Sequence, residues 1–195
     1  MNRITQLDPA SATGKTKQLF DGVQAQLGTV PNLFRVFGNS PAALEGYLSF
    51  SGALASGVLS AKVREQIALA VAEINDCTYC RSAHTYIGGK VGLSEREIAD
   101  ARKVVATDAR TEAILNLARS IVVQRGELSE TEFKAARAAK LTDAEIVETT
   151  ANVALNILTN YVNHVAQTVV DFPEVKSGEV EAASEACATG CGCGH

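Results

Sequence analysis

Three capping boxes constrain this chain more than any other feature. Ser94-Glu95-Arg96-Glu97, Ser129-Glu130-Thr131-Glu132 and Thr142-Asp143-Ala144-Glu145 each set a hydroxyl three residues before a glutamate. In that pattern the hydroxyl accepts from one backbone N–H and the carboxylate from another, pairing two donors that a helix start leaves open. Each box precedes a run with helical periodicity. After the third, Ile146, Thr150, Val153, Ile157, Tyr161 and Val165 carry the period to about residue 169, where Asp171-Phe172-Pro173 breaks it.

The rest of the chain reads the same way. Leu19, Phe20, Val23 and Leu27 predict a helix over 14–27, stopped by Gly28. Pro31 to Phe37 reads as a short apolar helical turn. Ser40 before Pro41 predicts a capped helix that closes near Gly57. Ser60 opens another, with Val63, Ile67, Val71 and Ile74 as its stripe, and Ile114, Leu117, Ala118, Ile121 and Val122 mark one over 109–125. No segment alternates as a strand does, and no Asn-Gly or Asp-Gly turn joins two such runs. The expected fold is all-α. Leu59-Ser60-Ala61-Lys62 and Leu141-Thr142-Asp143-Ala144 start helices alike, with Tyr79 and Tyr161 each twenty residues on, a hint of repeated helical hairpins.

The densest chemistry is Glu73-Ile74-Asn75-Asp76-Cys77-Thr78-Tyr79-Cys80-Arg81-Ser82-Ala83-His84. On a helix, Cys77, Cys80 and His84 fall on one face. Asn75 and Asp76 are candidate N-caps for a helix that begins near Cys77 and runs to about Gly88-Gly89. Its dipole would favour a thiolate at its start. Three readings stand: thiol redox chemistry, a soft metal site that lacks a fourth ligand, or two buried structural cysteines with a core histidine.

Bulk properties narrow the function. A net charge of −4 and a pI near 5.4 give no basic footprint for nucleic acid. No apolar run follows Met1-Asn2-Arg3, so no signal peptide is expected, and Ile67 to Ala72 is too short to span a bilayer. Five cysteines, in clusters of two and three, do not form a secreted disulfide framework, so a cytoplasmic location is expected. Ala12-Thr13-Gly14-Lys15-Thr16 is like the end of a phosphate-binding loop. The first glycine of that motif would fall at Pro9, however, and no strand precedes it, which excludes the match. The expected organisation is a loose lead-in over 1–12, a helical domain over 13–173 and a tail over 174–195. Cys187, Cys191, Cys193 and His195 in the tail could wrap a soft metal or exchange disulfides with Cys77 and Cys80.

With Glu65 twelve residues before Cys77, the full pattern is Glu65-x11-Cys77-x2-Cys80-x3-His84. It resembles the AhpD-like alkyl hydroperoxidase branch of the carboxymuconolactone decarboxylase superfamily, and its peroxidase-related members in particular. Val30-Pro31-Asn32-Leu33-Phe34 and Asn39-Ser40-Pro41 resemble them too, so the likeness covers about residues 20–172. It implies an AhpD-like helical bundle, assembled as a homo-oligomer, that reduces hydroperoxides and is recycled by a dithiol or disulfide reductant. No cofactor is implied. Cys80 would attack, Cys77 resolve, and Glu65 and His84 relay the proton. The helix-dipole argument would instead favour Cys77 as the lower-pKa thiol. Tyr79 departs from the pattern, because AhpD enzymes carry a histidine between the cysteines. A tyrosine titrates near pH 10 and cannot shuttle protons at neutral pH. His164 has no place in the motif and reads as a helix-surface or core residue. A metal-binding or redox-sensing module is the alternative. Lactone decarboxylation, which needs no paired cysteines, ranks third.

Overall fold

A computed structural model describes residues 2–177. Among them the elements are all helical: α1 (Gly14–Leu27), α2 (Asn32–Phe37), α3 (Pro41–Ala55), α4 (Ala61–Ile74), α5 (Thr78–Lys90), α6 (Glu95–Arg102), α7 (Ala109–Val123), α8 (Glu130–Ala138) and α9 (Asp143–Ala166). All three capping boxes form, at the starts of α6, α8 and α9. Each glutamate accepts two bonds from its own cap residue, which holds Glu97, Glu132 and Glu145 below the usual carboxylate range.

α4 is the axis. Its eight residues from Gln66 to Glu73 are all buried, because α5, α6, α7 and α9 surround it. That enclosure accounts for the unbroken apolar run at its centre. One core gathers Ile67, Leu69, Val71, Leu115, Ala118 and Val153 between α4, α7 and α9. A second, smaller one joins Phe20, Leu33, Phe37 and Leu44 to Cys77, Tyr79 and Cys80. The reactive stretch thus lies inside a hydrophobic cluster.

Three sequence expectations change. Ser60 and Thr142 cap α4 and α9, so the two helix starts do correspond. The hairpin does not recur, because α4 breaks before α5 whereas α9 runs unbroken for 24 residues. Tyr79 is accordingly buried while Tyr161 is exposed. The lead-in is also tied to the domain. Arg3 N–H donates to Ala166 O, Leu7 N–H to Arg35 O, and Arg35 Nε returns a bond to Leu7 O. Leu7 packs against the second core, which gives this segment apolar anchorage that its polar composition hides. Third, Asn75 ends α4 and Asp76 turns the chain at φ 50°, so neither caps α5. Cys77 does so itself, its Sγ accepting from Cys80 N–H at 3.2 Å.

Candidate active site

The three-residue link between α4 and α5 is held by buried charge. Glu73 and Arg81, each 1% exposed in its side chain, lie 3.7 Å apart. Arg102 Nε donates to the same Glu73 carboxylate at 2.8 Å. Arg81 also donates to Asp76 Oδ1 and Thr78 Oγ1, on either side of Cys77. One buried guanidinium therefore fixes the backbone that presents the first cysteine. Two opposite charges buried together need such extra partners to offset their desolvation.

Cys77 and Cys80 are joined as a disulfide with their Cα atoms 5.3 Å apart, and both residues are at most 2% exposed. Asn163 of α9 donates from Nδ2 to Cys80 Sγ at 3.2 Å. Asn163 is 4% exposed, and its Oδ1 has no hydrogen-bond partner among the described residues. Each sulfur thus has one N–H donor: the α5 backbone for Cys77 and a side-chain amide for Cys80.

His84, one turn beyond Cys80 on α5, pairs through Nδ1 with Glu65 Oε2 of α4 at 2.8 Å. This occupies one ring nitrogen and leaves Nε2 for chemistry. His84 lies between two cavities. The first, about 200 Å³, is largely apolar, with Leu33, Phe34, Tyr79, Phe172, Cys80 and His84 in its walls. The second, about 250 Å³, takes in Glu65, Arg64, Asn152 and Asn156 and excludes both cysteines. Tyr47 borders both, and its hydroxyl is pushed up to about 12 by burial, then by the Glu65 charge, against a hydrogen bond with Ser51.

Tyr79 is a strut. Its hydroxyl accepts from Leu33 N–H at 3.1 Å, and its ring meets Phe172 edge-on with centroids 5.7 Å apart. Burial raises its pKa far above the ordinary tyrosine value, with Asp171 adding to the rise. Tyr79 thus locks α5 to α2 and to the segment after α9, and its hydroxyl keeps its proton at neutral pH.

The four sequence candidates fall into two contacts, Cys77 with Cys80 and Glu65 with His84, and the apolar cavity connects them through Cys80 and His84. Asn163, Tyr47, Glu73 and Arg81 escaped the sequence reading. The asparagines were visible as a pattern, for Asn152, Asn156, Asn160 and Asn163 recur at helical spacing along one apolar helix, and all four are buried. His164 is exposed in the last turn of α9. No group of three or more His, Cys, Asp or Glu side chains among the described residues is placed to hold a metal. Cys187, Cys191, Cys193 and His195 lie outside the described residues.

The sequence model of the carboxymuconolactone decarboxylase family matches residues 41–124, the stretch that holds Glu65, Cys77, Cys80 and His84. The fold is that of a peroxidase-related protein with an AhpD core from Ralstonia eutropha JMP134, at TM-score 0.78 and 23% identity over 87% of this chain and 92% of that one. A peroxidase-related protein from Silicibacter sp. TM1040 gives 0.74 and 24% over 86% and 92%. A variant of the debrominase Bmp8, solved with 2,3,4-tribromopyrrole, gives 0.75 and 16% over 88% and 92%. Comparison with curated protein sequences finds no match. Residues 41–124 are thus similar to the carboxymuconolactone decarboxylase family, and the fold is that of AhpD-like proteins.

Proposed function

We propose that this protein is a thiol peroxidase that reduces organic hydroperoxides through Cys80 and Cys77. The observation that carries the reading is the shared cavity: Cys80 and His84 border one apolar space, and His84 is backed by Glu65 at 2.8 Å. A hydroperoxide with an alkyl or aryl body fits such walls. His84 takes the Cys80 proton, and the thiolate attacks the outer peroxide oxygen. The S–O bond forms, the O–O bond breaks, and the alkoxide leaves with the proton from His84. Cys77 then attacks the resulting sulfenic acid, the S–S bond forms, and water departs. Glu65 stabilises the imidazolium meanwhile and opens a polar way out through the second cavity.

Two electrons from a thiol reductant restore the pair, and a dithiol is the fitting class. The protein acts without nucleic acid, membrane or cofactor. No helix among the described residues is long and apolar enough to cross a membrane, and the cytoplasm suits a disulfide that must cycle. Homo-oligomer formation is supported by α9, where Val147, Ala151, Ala154, Leu158, Tyr161 and Val165 repeat at alternating spacings of four and three. The four large ones are 42–65% exposed.

The test is consumption of cumene hydroperoxide by the reduced protein with dithiothreitol as electron source. Turnover lost in Cys80→Ser and in Cys77→Ser supports the reading, and turnover kept in both defeats it. The aromatic walls of the same cavity also admit a flat halogenated ring, so 2,3,4-tribromopyrrole belongs in the assay as a second substrate.

A further inference from the structure

Each sulfur of the disulfide borders a cavity of its own. The apolar cavity meets it at Cys80 and does not include Cys77. A third cavity, about 500 Å³, has Cys77, Thr78, Asn163, His164, Gln167 and Thr168 in its walls and does not include Cys80. The two openings differ in chemistry as well as in the sulfur they reach.

The third cavity holds two buried polar side chains with bonding capacity to spare. Asn163 and Thr168 are 4% and 9% exposed, and neither Asn163 Oδ1 nor Thr168 Oγ1 has a hydrogen-bond partner among the described residues. A buried polar atom left unpaired is costly, so a ligand that supplies an N–H or O–H there gains from the exchange. The other end of the Asn163 amide already donates to Cys80 Sγ. His164, exposed in the last turn of α9, brings an imidazole able to take a thiol's proton.

We infer that this cavity is the reductant's site: a small dithiol with hydroxyl or amide groups close to its sulfurs binds there and reduces the disulfide by attack on Cys77. The inference rests on the peroxidase reading only for the origin of that disulfide. Exchange needs the incoming, attacked and leaving sulfurs nearly in line. From a cavity that includes Cys77 and not Cys80, that approach is open at Cys77. The dipole at the start of α5 would by itself favour Cys77 as the leaving thiolate. That route needs attack at Cys80, whose cavity is largely apolar and suits the hydroperoxide. Access therefore outweighs the dipole.

The electrons balance. The first thiol of the reductant gives its proton to His164, which passes it to solvent. Its thiolate bonds to Cys77 Sγ, the S–S bond breaks, and Cys80 leaves as a thiolate that accepts from Asn163 Nδ2. The second thiol then attacks the reductant's own sulfur in the mixed disulfide. Cys77 departs and takes the proton given up by that second thiol, with His164 as carrier. The dithiol has become a cyclic disulfide, and its two electrons have left Cys77 a thiol and Cys80 a thiolate. Hydroperoxide and reductant use different openings and do not compete for one.

Trapping the mixed disulfide tests this without any peroxide. The full chain, with its disulfide closed by diamide, is treated with N-acetylcysteamine, a monothiol that carries an amide and cannot cyclise away. The reaction is quenched in acid and the freed thiol is capped with N-ethylmaleimide. Trypsin then releases peptide 65–81, and fragments that break between its two cysteines locate the adduct. The expected result is the probe on Cys77 and the maleimide on Cys80 in most of the trapped peptide. The reverse pattern, or an even split, would overturn the proposal. A second arm fills the cavity from an exposed position. His164→Trp should slow disulfide reduction by dithiothreitol about tenfold, because exchange depends on access, and should leave the oxidation of reduced Cys80 by cumene hydroperoxide at its wild-type rate. Unchanged reduction in the folded variant, or equal slowing of both steps, would also defeat the assignment. If no hydroperoxide oxidises the pair, the peroxidase reading falls, while the position of the adduct and the dithiothreitol rate still decide the reductant's site.

Discussion

Asn163 and Cys80 are 83 positions apart in sequence and joined by one hydrogen bond, Nδ2–H to Sγ at 3.2 Å. A donor held there, in a residue 4% exposed, favours the thiolate over the thiol once the disulfide opens. A hydrogen bond to a charged group contributes about 1.5–3 kcal/mol, or roughly one to two pKa units. In a Cys77→Ser background, Asn163→Leu should raise the midpoint of thiolate absorbance by that amount. An unmoved midpoint would show that the amide does not hold the thiolate.

The ion pair beneath the Cys77 link should matter far more than those on the surface. Arg81→Met strips one partner from the buried Glu73 carboxylate and should destabilise the fold by about 3 kcal/mol. Arg96→Ala breaks a pair whose arginine is 89% exposed and should cost about 0.5 kcal/mol or less. Denaturant midpoints compare the two directly, and equal shifts would contradict the assignment of the link's rigidity to buried charge.

Tyr47 makes the fold sensitive to alkali. Burial and the Glu65 charge push its hydroxyl up to about 12, so the folded state keeps a proton that the unfolded chain releases near pH 10. The stabilisation is complete below pH 10 and is lost as pH rises through 12. Unfolding midpoints of Tyr47→Phe should therefore fall less steeply than those of the wild type between pH 10 and 12. Parallel curves would refute the shift.

The exposed seam on α9 predicts self-association. Light scattering should find more than one chain per particle at micromolar concentration, and Leu158→Glu should shift the population toward monomer. A monomeric wild type would contradict the oligomer.

Much of this architecture was legible in the sequence, because local rules govern it. The capping boxes, the Ser40-Pro41 start and the glycine after Leu27 act within a few residues, and the helices begin where they indicate. Cys77 was misread as a helical position because thiols are not ordinary N-caps, and Asp76 as a cap although it takes a left-handed turn and accepts from Arg81, a partner five residues on. Lead-in anchorage was hidden for a similar reason, since Leu7 finds its partners only after α2 and α9 have packed. For the site, Cys77, Cys80 and His84 stood out by spacing, and Glu65 by the resemblance that the longer pattern carries. Tyr47 and Glu73 reach the site through tertiary packing, and nothing local marks them as different from other helix residues, whereas Asn163 belongs to the visible run of asparagines along α9.

The central claim is that His84, backed by Glu65, takes the proton from Cys80 so that the thiolate can attack a hydroperoxide. The most direct measurement is the rate of Cys80 oxidation by cumene hydroperoxide against pH, in reduced wild type and in His84→Gln. Loss of a positioned base predicts a rate lower by about 10²–10⁴-fold near neutral pH, with the deficit narrowing as rising pH deprotonates the thiol unaided. A pH–rate profile unaltered by the substitution would contradict the account.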